Sequence, residues 1–218
     1  MPTLTAPGAI TNRRLFLGEC FAAGLIFLSA LAVNWFTGSY INKIAVNFPP
    51  AHDLLFQFLP PLDWPLVHIW GFVGFSATLA IGVFLYEPKS RWPYYVWTFS
   101  LLIATRAVFT MLTPLGLPHE APAFGHYPLQ WAAQHFDFRH TLFFSGHTAL
   151  PFMGYLISRT PWVKRACLGF SLLLAFEVLA SRLHYSIDVG AAFFITYGVY
   201  RISWLGYRRM QNFLISFL

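Results

Sequence analysis

Six apolar runs, separated by shorter polar segments, divide this chain of 218 residues. A helix needs about 20 apolar residues to cross the hydrocarbon core of a bilayer, and each run approaches that length. The pattern therefore predicts an all-α fold, a polytopic bundle of six transmembrane helices that forms a single domain over residues 1–218. The predicted spans are residues 15–35, 64–86, 93–112, 141–157, 162–181 and 185–205.

Composition and charge support a membrane location. Hydrophobic residues make up 57% of the chain and charged residues only 10%, whereas soluble domains carry about 25% charged residues. With the amino terminus in the cytoplasm, ten of the fourteen basic residues fall on the cytoplasmic side, as the positive-inside rule requires. We therefore interpret the net charge of +6 as a topology signal rather than as a nucleic-acid surface. We expect an integral protein of a bacterial inner membrane, with both termini in the cytoplasm.

The first apolar run has an alternative interpretation. The stretch "NRRLFLGE" is similar to a twin-arginine signal, and "ALA" at residues 30–32 is similar to a cleavage site. The run is long for a signal peptide and further spans follow it, which favours a retained first helix.

Two polar motifs interrupt the apolar runs, "FFSGHTALP" at residues 143–151 and "SRLHYSIDVG" at residues 181–190. In the predicted topology both motifs lie at the outer ends of spans, on the same side as two further arginines. Ionisable groups within membrane spans are costly and usually functional, so their convergence predicts a site that faces the periplasm, or the lumen in a eukaryote. The candidate residues are Arg106, Arg139, Ser145, Gly146, His147, Arg182, His184 and Asp188.

The residue types in these motifs favour phosphoryl transfer. His184 and Asp188 are four residues apart, which places them on one face of a helix, and the carboxylate can orient the imidazole as a nucleophile. A helix that begins at Ser145–His147 offers free N–H groups to an anion. Nearby guanidinium groups would neutralise phosphate. One histidine that attacks and another that protonates the leaving oxygen suffice, so neither a metal nor another cofactor is expected.

The ordered motifs resemble a known family. "SGHT" followed by "HYSIDV", with "RAVFTMLTPLGLP" and "PPAHDLLFQFLPPLDW" before them, is similar to the sphingomyelin synthase-like branch of the type 2 phosphatidic acid phosphatase superfamily, over residues 45–205. The family's Cys-Gly-Asp is absent, and "FDFRHTLFF" stands in that region. The Lys and Arg-Pro pattern of the phosphatases is absent as well, and Arg182 is too close to His184 for phosphatase spacing.

The resemblance implies a role for each matched residue. His184 would attack phosphorus and form a phosphohistidine, Asp188 would orient it, and His147 would protonate the leaving group. Ser145, Gly146 and Arg106 would hold the phosphate. For Arg139 and Arg182 a phosphate-binding role follows only from their position in the predicted topology.

The expected activity is transfer of a phospho-head group from a glycerophospholipid to a lipid alcohol, such as ceramide or diacylglycerol. The alternative is hydrolysis of phosphatidic acid-type phosphomonoesters by the same residues. The expected partners are membrane phospholipids and a lipid alcohol or water, with no nucleic acid and no obligate protein partner.

Two other classes are disfavoured. The outer loop is rich in metal-ligand residue types, but their spacing matches no common zinc motif. These residues are His119, Glu120, His126, His135 and His140. A transporter would show two matching halves with broken helices, and no such repeat is present.

Overall fold

The computed structural model describes residues 13–62, 64–119, 121 and 139–217. Within those residues the protein is helical and has no strand. Six helices of at least twelve residues follow one another in this part of the chain. They are α1 (Arg13–Ile44), α2 (Pro65–Ile81), α3 (Trp92–Leu112), α4 (Gly146–Ile157), α5 (Pro161–Ala180) and α6 (Ser186–Ile215).

The all-α prediction is confirmed, and three segments are long and apolar enough to cross a membrane. They are Arg13–Asn47, Pro65–Tyr86 and Lys89–Leu112, with mean hydropathies of 2.0, 1.8 and 1.4. Large apolar side chains also cover the surface, and Phe21, Leu85 and Phe194 are each more than 70% exposed. Such a surface is typical of an integral membrane protein. The other three helices are not among these segments: α4 has only 12 residues, and α5 and α6 contain charged residues that lower their hydropathy.

Helix α4 begins five residues later than the sequence pattern predicts. Side chains of α3 provide hydrogen-bond partners for the backbone of the residues that precede it. Arg106 on α3 donates hydrogen bonds to the carbonyl oxygens of Thr141 and Phe144, at 2.5 and 2.9 Å. Thr110, one turn further along α3, donates to the Phe143 carbonyl at 2.8 Å. A buried backbone needs hydrogen-bond partners but not a helix, so the 141–145 segment stays non-helical inside the bundle.

Helix α5 ends in a Schellman motif. The N–H of Arg182 donates to the Leu179 carbonyl, and the N–H of Leu183 donates to the Val178 carbonyl. The motif places residue 182 in the left-handed region, where glycine is usual and where Arg182 has a φ of 56°. This turn directs the chain back toward the bundle and presents His184 immediately before α6.

Helix α4 lies at the centre of the bundle, packed against α5 and α6. Its apolar side chains meet those of α3 and α6 in a core that includes Phe144, Leu102, Met153 and Val199. One cavity is lined both by residues late in α1 and α3 and just after α5 and by residues at the starts of α2 and α4 and just before α6, so the helices alternate in direction along the chain. The ends of α1, α3 and α5 therefore lie at the same end of the bundle as the beginnings of α2, α4 and α6.

Candidate active site

A cavity of about 230 Å³ opens at that end of the bundle. Six of the eight candidate residues line it, and the other two, Ser145 and Asp188, are completely buried beside it. The lining candidates are Arg106, Arg139, Gly146, His147, Arg182 and His184. Residues that are distant in the sequence are thus gathered around one cavity.

His184 is paired with the carboxylate of Asp188. The distance from His184 Nδ1 to Asp188 Oδ2 is 3.4 Å, and His184 is only 7% exposed. The two residues do not share a helical face as predicted, because His184 precedes α6 and Asp188 is in its first turn. Asp188 Oδ2 accepts a hydrogen bond from the backbone N–H of Tyr185 at 2.9 Å. The same carboxylate therefore caps α6 and faces the imidazole of His184. Nδ1 is the nitrogen turned toward Asp188, which leaves Nε2 for chemistry.

The backbone of α6 also links the two motifs. The N–H of Ser145 donates to the carbonyl of Asp188 at 3.1 Å, and the hydroxyl of Thr148 donates to the Ser145 hydroxyl at 3.3 Å. The hydroxyl of Ser145 is therefore held inside the protein. The backbone N–H of Ser145 fixes the beginning of α4 against the first turn of α6.

His147 is in the first turn of α4. Ser145 provides no side-chain cap, so the first N–H groups of this helix have no acceptor on that side chain. The ring of His147 packs against two rings of α2, at centroid distances of 4.2 Å from His68 and 5.0 Å from Phe72. An anion in the cavity would therefore meet an imidazole and the positive end of a helix dipole together.

Gly146 permits a close approach of Arg106. A Cβ atom at position 146 would lie 3.3 Å from Arg106 Nε, closer than nearly all such contacts. Because glycine has no Cβ, the guanidinium reaches the beginning of α4 while it also binds the carbonyls of Thr141 and Phe144.

Arg182 lines the cavity and also holds the first loop. Its guanidinium donates to the carbonyls of Phe56 and Leu59, at 3.1 and 2.7 Å, and lies 4.0 Å above the Phe56 ring. These contacts stabilise the left-handed turn at the end of α5. Its predicted phosphate-binding role, like that of Arg139, stays a prediction.

Three residues to which the sequence assigns no function lie in or beside the site. His68 and Asn34 line the cavity, and Glu177 is buried behind it. The carboxylate of Glu177 pairs with His68 at 2.9 Å. A charged residue within an apolar run is a sequence signal that could have marked Glu177 as functional. Nothing in the sequence connects it to a histidine 109 residues away.

Most of the outer-loop candidates lie outside the described part of the chain. Glu120, His126 and His135 lie outside the described residues, and His119 is exposed. His140 is buried, and its Nδ1 lies 2.9 Å from the side-chain oxygen of Asn42. Burial, and after it the positive charge of Arg139, lowers the pKa of His140 below its ordinary value.

No metal centre accompanies these residues in the described part of the chain. Across residues 13–62, 64–119, 121 and 139–217, no three His, Cys, Asp or Glu side chains are grouped closely enough to hold a metal ion.

Guanidinium groups form part of the cavity wall. Three arginines line the cavity, while the carboxylates of Asp188 and Glu177 are each turned toward an imidazole. This arrangement favours an anion that is neutralised by guanidinium groups and approached by a histidine.

No protein-family model and no curated protein matches the chain.

Proposed function

We propose that this protein is a membrane-embedded lipid phosphotransferase that moves a phospho-head group from a glycerophospholipid to a lipid alcohol through a phosphohistidine. One observation carries the proposal. A single cavity is lined by His184, whose Nδ1 faces a buried carboxylate, by a second histidine at a helix start, and by three arginines. The sphingomyelin synthase-like motifs in the sequence support the same activity.

In the first half-reaction Nε2 of His184 attacks phosphorus. The bond between phosphorus and the diacylglycerol oxygen breaks, and that oxygen takes a proton from His147. Asp188 stabilises the positive charge that develops on the His184 ring. Arg106 and the N–H groups at the start of α4 stabilise the negative charge on the phosphoryl oxygens.

In the second half-reaction the hydroxyl of a lipid alcohol gives its proton to His147. Its oxygen attacks phosphorus, the P–N bond breaks, and the electron pair returns to His184. Ceramide or diacylglycerol is the proposed acceptor. The apolar part of the cavity wall, formed by Phe72, Leu142, Leu150 and Leu183 beside the polar groups, suits a lipid chain near the reacting hydroxyl.

We further infer that all six helices cross the membrane, with both termini in the cytoplasm and the cavity toward the periplasm or lumen. The ten-to-four division of basic residues and the alternating helix directions support this topology. A reporter fused after residue 218 should give a cytoplasmic signal, and one inserted near residue 122 an external signal. An external signal from the first fusion would contradict the topology.

A product analysis tests the activity. The purified protein is incubated with labelled phosphatidylcholine or phosphatidylethanolamine, with and without ceramide or diacylglycerol as acceptor. We expect a new phospholipid that forms only with the acceptor, together with diacylglycerol from the donor. Rapid release of inorganic phosphate from phosphatidic acid, without any transferred product, would instead assign the protein as a phosphatase that uses the same residues with water.

A further inference from the structure

A second carboxylate–imidazole pair lies at the cavity, on helices that carry neither sequence motif. His68 is on α2 and Glu177 is on α5, and their side chains meet at 2.9 Å between Nδ1 and Oε2. Glu177 is completely buried, and its Oε1 has no hydrogen-bond partner within the described ranges. Burying a carboxylate with one polar partner costs free energy, which points to a functional role for Glu177.

The His68 ring connects this carboxylate to His147. The two ring centroids are 4.2 Å apart with the planes tilted by 40°, and the Phe72 ring makes the other ring contact of His147 at 5.0 Å. In the part of the chain that the structure describes, no hydrogen bond holds the His147 ring. Among the described residues, His184 contacts the carboxylate of Asp188 directly, whereas His147 is connected to Glu177 through His68.

The charges around His147 make this connection important. His68 of α2 contacts the His147 ring, and Arg106 of α3 and His184 before α6 line the same cavity. Each of these groups, when charged, opposes a protonated imidazole at position 147.

Within the described ranges, one buried carboxylate lies on the His68 side of His147. Of the two buried carboxylates beside the cavity, Asp188 is engaged with His184, and Glu177 of α5 lies behind the His68–His147 contact. Its negative charge offsets the charge of a protonated His68, because electrostatic interactions are strong where water is excluded.

We propose that His68 and Glu177 are positioning residues for His147: His68 keeps the His147 ring oriented toward the leaving oxygen, and Glu177 offsets the charge of His68. The inference rests on the proposed function, since it assigns the support of the general acid in that reaction. Glu177 supplies the compensating negative charge, and the ring contact with His68 fixes the plane of the His147 ring. Neither residue gains or loses a proton in the overall reaction.

The test separates this role from a structural one by the leaving group, and turnover is measured in it as the single turnover of the first half-reaction, before His147 acts as a base on the acceptor. Glu177→Gln and His68→Asn are compared with the wild-type full-length protein on two donors with the same head group. One is the natural phospholipid, whose diacylglycerol oxygen needs a proton. The other is the 4-nitrophenyl ester of the head-group phosphate, whose leaving group departs as an anion.

We expect turnover of the phospholipid to fall about 10²-fold in both variants, because general acid catalysis is worth that much or more. Turnover of the nitrophenyl ester should stay within about threefold of wild type, since its departure needs no acid. The alkaline limb of the pH–rate profile with the phospholipid should move to lower pH in Glu177→Gln, because the anion that stabilises the protonated imidazole is gone. Activity on the nitrophenyl ester also verifies that each variant is folded.

Matched controls use the same substitutions elsewhere. Glu19→Gln changes a buried carboxylate of α1 that accepts a hydrogen bond from Tyr207, and His52→Asn changes an exposed imidazole. Both should leave the ratio of the two turnover rates unchanged. Equal losses on both donors in Glu177→Gln and His68→Asn, or no loss on either, would overturn the inference while the proposed function stands. Full activity of His184→Ala on both donors would overturn the proposed function and this inference with it.

Discussion

Two buried clusters of charged side chains lie at opposite ends of the helical bundle. At the end away from the cavity, Arg91 pairs with Glu87, and both side chains are under 5% exposed. Arg91 also donates to the Ile157 carbonyl at 3.0 Å, and Glu87 accepts the N–H of Arg159 at 2.8 Å. At the cavity end, imidazoles face carboxylates and three arginines line an open space.

The difference lies in what each cluster leaves available. The Glu87–Arg91 pair balances one positive and one negative charge, and its hydrogen bonds join the α2–α3 connection to the α4–α5 connection. At the cavity, an imidazole of each described pair lines the open space together with three guanidinium groups. A closed, balanced pair stabilises a helix connection, whereas imidazole and guanidinium groups around an open space can bind an anion.

The largest expected effect is on activity at the cavity end. His184→Ala removes the nucleophile and should lower phospholipid turnover by about 10⁴-fold or more, since losing a covalent nucleophile is among the most damaging changes in an enzyme. Release of diacylglycerol from a labelled donor measures it. The thermal unfolding midpoint should change little, and substantial turnover in the variant would contradict the assignment of His184.

The next effect is on stability at the opposite end. Glu87→Gln leaves Arg91 buried without a charged partner, which should lower the free energy of unfolding by about 3–5 kcal/mol. Titration of the purified protein with a denaturing detergent measures this change. Turnover per folded molecule should stay near the wild-type value. A stable but inactive Glu87→Gln protein would remove the distinction between the two clusters.

A smaller effect should follow from Arg106→Lys, which keeps the charge and loses the planar guanidinium. Lysine cannot bind the Thr141 and Phe144 carbonyls and a phosphoryl oxygen in the same geometry, so kcat/KM should fall about 10- to 100-fold. Arg209→Lys, at an exposed arginine of α6, is the matched control and should have no effect. Equal rates for the two variants would show that Arg106 contributes charge alone.

The contrast between the two ends also explains how far the sequence is informative. Polar residues within apolar runs are costly, so the pattern alone selects His147, His184 and Asp188 as candidates. Arg106 joins them because it is near a span end on the same side. The later start of α4 could not be predicted, because it depends on Arg106 and Thr110 binding the carbonyls of a segment more than 30 residues away.

Other features depend on tertiary contacts that no local pattern records. The left-handed conformation of Arg182 is usual for glycine, and contacts to the first loop stabilise it here. His68 and Glu177 are single polar residues on separate helices, and only the packing of α2 against α5 brings them together. Sequence motifs therefore identify one side of the site, and the fold is needed for the other.

The covalent intermediate offers the most direct test of the central claim. The purified protein is mixed with a phospholipid donor in the absence of acceptor, quenched within one turnover, and analysed by mass spectrometry of its peptides under conditions that preserve acid-labile phosphoramidates. We expect a phospho-head group on His184 that is absent from His184→Ala and is discharged when ceramide or diacylglycerol is added. Diacylglycerol release by the wild-type protein without any adduct, or with an adduct on another residue, would contradict this expectation.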